Sequence, residues 1–254
     1  VLLDGRRAIV TGASSGIGKE ASLRLAKEGS KVCINYYSDK EKGAADQVVQ
    51  EIQKEGGTAI SIQADVGAED DVRQLVGRTV ESFGGLDLLV NNAGIEKKFS
   101  LIEMPLTEWD AVLRTNLTGA FLCLREAAKV MGQGSVIVNV SSVHEYIPWP
   151  GFAHYCASKG GLKLLMQTAA RELAPRGVRV LNVAPGAIVT PINDFVLRDP
   201  EAKQAIEDEI PMGRMGKPDE IAAAIAWAAS AEAGYVTGST LIVDGGMSLY
   251  PRFV

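Results

Sequence analysis

Thr11-Gly12-Ala13-Ser14-Ser15-Gly16-Ile17-Gly18 follows directly on the apolar run Arg7–Thr11 and opens into a segment of helical period, Ile17–Glu28. A glycine-rich turn between a strand and a helix lets the backbone approach a pyrophosphate with no Cβ in the way. The free N–H groups and positive end of the following helix then attract the phosphate charge. Working outward, β-branched runs recur at Lys31–Asn35, Thr58–Gln63, Leu86–Asn91, Gly134–Val140, Val178–Val183 and Thr240–Val243. They lack alternating polar positions, as strands buried on both faces of a parallel sheet do. Between them, Lys40–Glu55, Glu69–Phe83, Leu106–Met131, Ala153–Ala174 and Pro218–Ser230 carry apolar residues at i, i+3, i+4 spacing. Parallel strands need such crossovers, so the pattern predicts an α/β fold built on a doubly wound, seven-stranded parallel sheet.

No linker rich in Pro, Gly or Ser divides the 254 residues, which reads as a single domain over 1–254. The stretch 188–216 is distinct, holding Pro191, Pro200 and Pro211 with only a short helical piece at Glu201–Glu209, and it is expected to serve as a substrate loop. With 26 basic and 31 acidic side chains the net charge is −5, and no Lys/Arg cluster suits a phosphate backbone, so nucleic acid is not an expected partner. The longest apolar stretches are about half the ~20 residues that span a bilayer, which predicts no membrane partner and no leader. Three widely spaced cysteines suggest neither a disulfide framework nor a zinc site, and a reducing cytoplasm fits them. Two histidines, His144 and His154, lack a third partner, so no metal is expected. Neither belongs to a G-x-S-x-G elbow, which argues against a serine hydrolase.

Further motifs stand at the ends of the later strands. They are Asp65-Val66, Asn91-Asn92-Ala93-Gly94, Ser142, Pro185-Gly186 and Asp244-Gly245-Gly246, with Asn116 and Tyr155-Cys156-Ala157-Ser158-Lys159 on helices. In this order, and with the TGxxxGxG spacing of the first turn, the chain resembles the short-chain dehydrogenase/reductase family along essentially its whole length. The resemblance implies a Rossmann-type fold and hydride transfer with NAD or NADP. It places Gly12, Ser14, Ser15, Gly16, Ile17 and Gly18 around the cofactor's pyrophosphate. Asp65 and Val66 would meet the adenine, and Asn92, Ala93 and Gly94 the ribose side. Ile188 and Thr190, beyond Pro185 and Gly186, would meet the carboxamide and pyrophosphate. At the end of the second strand, Asn35-Tyr36-Tyr37-Ser38 offers neither a carboxylate to exclude a 2′-phosphate nor an arginine to hold one. Dual use of NAD and NADP is therefore expected, with Tyr37 and Ser38 accepting either ribose.

Tyr155 and Lys159 lie four residues apart, one turn along a helix face. A free tyrosine, with pKa about 10, is a poor base at neutral pH, and a nearby ammonium favours phenolate. Lys159 is thus expected to activate Tyr155 for exchange of a hydroxyl proton, and by resemblance to hold the nicotinamide ribose. Ser142, at a strand's carboxyl end, is expected to orient the substrate oxygen, with Ser141 as the competitor. By resemblance Asn116 completes a proton relay. The segments Ser141–Pro150, Pro185–Asn193 and Asp244–Pro251 are similar to the family's bacterial glucose 1-dehydrogenases, which implies a small sugar as substrate. Glu96, His144, Glu145 and Asn193 could pair its hydroxyls. A 3-oxoacyl thioester reductase would share the catalytic residues, although the mixed charge of 188–216 suits an acidic carrier protein poorly. A silent dinucleotide-binding sensor would not need Ser142, Tyr155 and Lys159. The apolar length of Leu106–Met131 and Ala153–Ala174, with the hydrophobic tail Met247–Val254, predicts a homotetramer.

Overall fold

The computed structural model describes residues 1–191 and 198–249. Seven strands form one sheet: β1 (Arg7–Val10), β2 (Lys31–Tyr36), β3 (Ala59–Gln63), β4 (Leu88–Asn91), β5 (Val136–Val140), β6 (Arg179–Pro185) and β7 (Thr240–Val243). Their order is β3-β2-β1-β4-β5-β6-β7, and every pairing is parallel. The chain works outward from β1 to β3 and then crosses back to β4, so the winding reverses between β1 and β4. Loops leaving those two strands diverge, and ligands of open α/β sheets bind in the crevice that results.

Successive strand residues face opposite sides. Ala8 and Val10 join Val32, Ile34, Val138 and Val183 in one buried layer, covered by Ala21 and Leu25 of α1 (Gly16–Lys27). Ile9, Cys33, Leu89 and Ile137 build the other layer, against Leu75 and Val76 of α3 (Glu69–Phe83). The helix α2 (Asp39–Lys54) packs its buried Ala45, Val48 and Ile52 into the first layer. Both faces are thus closed by helices, which explains why the strands carry no polar alternation.

The expected helix Leu106–Met131 is interrupted. It consists of α4 (Leu106–Leu113), a π segment (Arg114–Thr118) and α5 (Gly119–Val130). Apolar period shows only that a face is buried and is blind to one widened turn, and such turns gather at functional sites. α6 (Ala153–Leu173) lies beside this break. In the region 188–216, Ile188 bridges Gly216 to close the base, and α7 (Pro200–Glu209) starts from Asp199, whose Oδ1 accepts the N–H groups of Glu201 and Ala202. Asn193 and the tail beyond Leu249 lie outside the described residues. α8 (Pro218–Ala229) leads to β7. Among the described residues no helix is long and apolar enough to cross a membrane.

Candidate active site

A cleft of about 980 Å³ runs over the carboxyl ends of the strands, at the upper end of the ~300–1,000 Å³ usual for ligand pockets. At its β1 end, Gly12 (φ +59°) and Gly16 (φ +55°) adopt left-handed backbone that favours glycine. A Cβ on Gly18 would lie 2.4 Å from the Gly12 carbonyl oxygen, so α1 rests directly on the turn. The Thr11 hydroxyl accepts the N–H groups of Asn92 (2.9 Å) and Ala93 (3.0 Å), and the Asn92 side chain donates to the carbonyls of Thr11 and Gly12. These bonds lock the glycine turn to the loop after β4. Ser15, at the N-cap of α1, makes no side-chain capping bond. Its hydroxyl and the first amides of α1 therefore suit a phosphate group.

Ser14, Ser15, Gly16, Ile17, Tyr37, Asp65, Val66, Asn92, Ala93 and Gly94 line the cleft, as do Pro185, Gly186, Ile188 and Thr190 from the far side. Thr190 lies close over Gly16, so the loop after β6 meets the glycine turn. Ser38 is outside the lining, at the N-cap of α2. The Asp65 carboxylate accepts from Gly67 N–H and pairs with Arg114 at 2.6 Å. Glu41 was not anticipated. It lines the cleft from the first turn of α2, and its Oε2 accepts the Tyr37 N–H at 2.9 Å. A carboxylate does stand beside the second-strand turn, supplied by the helix after it and not by the strand.

At the other end, α6 presents Tyr155 and Lys159 together, with the Lys159 Nζ 5.5 Å from the phenol ring centre and donating to the Val140 carbonyl at 2.9 Å. Burial lowers the Lys159 ammonium to about 8, against the opposing pull of Glu96 and Glu145. Burial also raises Tyr155 well above its ordinary value, Glu96 adds to that, and a hydrogen bond with Ser142 works the other way. Burial is the largest cause of this rise, and the Lys159 ammonium, 5.5 Å from the ring centre, is the group placed to favour phenolate when a hydroxyl proton is exchanged. Asn116 sits on the π segment. Its Oδ1 accepts Ile95 N–H (2.8 Å), and its Nδ2 donates to Ile95 carbonyl (2.9 Å) and Ser158 hydroxyl (3.3 Å). The widened turn therefore ties α4 and α5 to the loop after β4 and to α6.

Ser142 starts a short 3₁₀ turn, Val143–Glu145, and its Oγ accepts the His144 N–H at 3.2 Å. The His144 Nδ1 meets the Ile147 carbonyl at 3.1 Å; a carbonyl only accepts, so Nδ1 carries the proton and Nε2 is left as an acceptor. Burial lowers the His144 pKa, which keeps the ring neutral. Trp149 stacks on His144 (ring centres 4.4 Å apart), and Tyr155 meets both rings edge-on. Glu96 lines the cleft, and burial raises its carboxyl to about 7, partly opposed by Lys159. Its Oε1 is buried without a hydrogen-bond partner. Glu145 corrects an expectation: it does not line the cleft but turns inward, accepting from Ser141, Asn182 and Thr240. Ser142 is the N-cap of the turn and has extended backbone (φ −165°, ψ 159°), so it does not follow the regular 3₁₀ spacing that would align it with Glu145, and linear proximity does not reveal this.

A family model described as Enoyl-(Acyl carrier protein) reductase matches residues 12–248. The 3beta-hydroxysteroid dehydrogenase 1 of Eggerthella lenta is 48% identical over 257 residues, covering 99% of this chain and 97% of the relative. Glucose 1-dehydrogenase 2 of Bacillus subtilis is 44% identical over 98% of this chain and 97% of its own. A short chain dehydrogenase from Burkholderia cenocepacia, solved in complex with NADP, superposes with a TM-score of 0.91 at 38% identity, over 97% of this chain and 99% of that one. Likeness of sequence and of backbone thus runs the full length of the sheet and includes the glycine turn and the Tyr155–Lys159 helix. On these grounds the chain belongs to the short-chain dehydrogenase/reductase family and is an oxidoreductase.

Proposed function

We propose that the protein oxidises the anomeric hydroxyl of D-glucose or a related aldose to the lactone, with NAD or NADP as hydride acceptor. The observation that carries this reading is the orphaned Oε1 of Glu96, buried in the cleft and acting electrostatically on Tyr155 and Lys159. A buried acceptor left unpaired costs about 1–3 kcal/mol, more when charged, and a polyol hydroxyl removes that cost. The His144 Nε2 is a second acceptor, and the neighbouring Trp149 offers an apolar wall to the C–H face of a sugar ring. Ser142 orients the reacting oxygen, Tyr155 exchanges its proton, Lys159 holds the ribose, and Asn116 fixes the loop beneath them.

The bound NADP of the Burkholderia cenocepacia relative supports a nicotinamide dinucleotide. In this chain the Glu41 carboxylate accepts the Tyr37 N–H beside the turn after β2, where a carboxylate would disfavour a 2′-phosphate. Dual use is retained with a bias toward NAD.

A second reading, oxidation of a hydroxysteroid, is favoured by the apolar lining from Ile95, Ile147, Trp149, Met215 and Met247 and by the named activity of the Eggerthella lenta relative. Initial rates at 340 nm decide between them, with D-glucose, a 3β-hydroxysteroid and a 3-oxoacyl thioester, each with both cofactors. Glucose turnover that Glu96→Leu weakens through KM by about tenfold or more supports the first reading. Steroid turnover without glucose turnover transfers the assignment, and cofactor binding with no turnover leaves a silent binding module.

A further inference from the structure

A row of side-chain hydrogen bonds crosses the buried carboxyl end of the sheet. Asn91 on β4 donates through Nδ2 to Oδ1 of Asn139 on β5 at 2.9 Å, and Asn139 donates in the same sense to Asn182 on β6 at 3.0 Å. Asn182 then donates to Oε2 of Glu145 at 3.0 Å. The carboxylate ends the row, taking the Ser141 hydroxyl on Oε2 at 2.5 Å and the Thr240 hydroxyl of β7 on Oε1 at 2.7 Å. All four members of the row are buried.

Charge gives this row its direction. An ionised carboxylate only accepts, so Asn182 must turn its Nδ2 toward Glu145 and its Oδ1 toward Asn139. That choice propagates: reversing any one amide would set N–H against N–H or oxygen against oxygen. The start of a one-way row is left with an unused acceptor, and the Asn91 Oδ1 is indeed buried without a partner. Three amides in series and two hydroxyls thus converge their donor ends on the Glu145 carboxyl oxygens.

Glu145 also ends the turn that begins at Ser142. Its bonds to β6 and β7 therefore fix the backbone that carries Ser142 and His144. Lys159 bonds the carbonyl of Val140, two residues before Ser142. The groups that act electrostatically on Lys159 are Glu96, from the loop after β4, and Glu145; Tyr155 lies one turn before it on the same helix.

We propose that Glu145 is a positioning residue of the reaction, its carboxylate fixing, through bonds to β6 and β7, the turn that carries Ser142 and His144. This rests on Ser142, Tyr155 and Lys159 being the reacting set. Glu145→Gln keeps the shape, removes the charge and sets an NH2 against one of three donors. Its kcat should fall by about tenfold or more, with dinucleotide affinity, followed by nicotinamide fluorescence, changed less than about threefold. Because the lost carboxylate no longer favours the ammonium, the alkaline limb of the kcat–pH profile should move to lower pH by at least about half a unit. The assay uses D-glucose and NAD, or a 3β-hydroxysteroid where glucose gives no rate. Glu145→Asp should return the limb toward its original position while kcat stays low. Wild-type kcat in Glu145→Gln, or a reduced kcat with dinucleotide affinity lost beyond that threefold, overturns the proposal. Should Glu145→Gln not fold, the double variant Ser141→Ala/Thr240→Val decides: it strips two donors and keeps the charge, so kcat must fall, and an unchanged kcat overturns the positioning role. Tyr155→Phe is measured alongside. If it retains turnover the reacting set itself is wrong, whereas an inactive Tyr155→Phe beside an unaltered Glu145→Gln brings down this inference alone.

Discussion

Tyr155, Lys159 and Glu96 occupy one cleft, and burial disfavours the charged form of each, bringing Glu96 up to about 7 and Lys159 down to about 8, so turnover should be sensitive to pH around neutrality. Tyr155→Phe should abolish turnover while leaving dinucleotide affinity nearly intact, and more than a few per cent of residual activity would contradict the proton-exchange role. Glu96 titrates at about 7. Its acceptor form therefore gains population as pH rises through that value, so the KM for glucose should fall between about pH 6 and pH 8, and Glu96→Gln should flatten the trend. At Glu41, substitution by Gln should raise the NADP/NAD ratio of kcat/KM by about fivefold or more, since a carboxylate beside a phosphate is repulsive; an unchanged ratio would show that this side chain does not read the ribose. Tyr155 and Lys159 were legible in the sequence because a spacing of four on a helix is itself a three-dimensional statement. Glu41 and Glu145 were not, because their roles depend on which way a side chain turns at a helix start and in a 3₁₀ turn, and no periodicity encodes that.

Strands and most helices were legible for an equally physical reason, namely that double-sided burial leaves long apolar runs and crossover helices leave one apolar stripe. The break at Arg114–Thr118 escaped because a π turn closes its hydrogen bonds five residues apart instead of four, a change of backbone register that residue polarity does not encode. At Gly18 the fit between β1 and α1 has no spare room, and Gly18→Ala should weaken dinucleotide binding by about tenfold or more and lower the melting temperature, both measurable by fluorescence titration and thermal denaturation. The start of β1 is held to the segment before β4 by Arg7 and Asp87, bonded through Nε at 2.6 Å and Nη2 at 2.7 Å. Burial works to raise the Asp87 carboxyl, but the hydrogen bonds and charge of Arg7 prevail and hold it below the ordinary range. A depressed carboxyl contributes stability above its unfolded pKa of about 4 and loses it as pH falls through the folded value. Asp87→Asn should therefore cost about 1–3 kcal/mol at pH 7 and progressively less toward pH 3, as read by urea unfolding.

Across the whole molecule, the helices α5 and α6 leave Phe121 and Leu164 40% and 65% exposed, more than a buried stripe on an isolated chain would require. We propose that they meet other copies in a homotetramer. Light scattering at micromolar concentration should return four times the 27.0 kDa chain mass, and Leu164→Glu should lower it; a monomeric wild type would end the idea. One tie described above reaches beyond geometry. The bond from Asn92 N–H to the Thr11 hydroxyl joins residues 81 apart in sequence. Contacts of such separation form only after the intervening chain has paid its loop-closure entropy. A partly folded chain has no dinucleotide cleft to offer, so ligand selects the completed sheet alone. At a hundred times its Kd, cofactor should shift the unfolding equilibrium by about 2.7 kcal/mol, and on refolding its fluorescence signal should return with the slowest phase. The pool of nicotinamide dinucleotide in which the enzyme works thus becomes a determinant of how long each copy survives proteolysis.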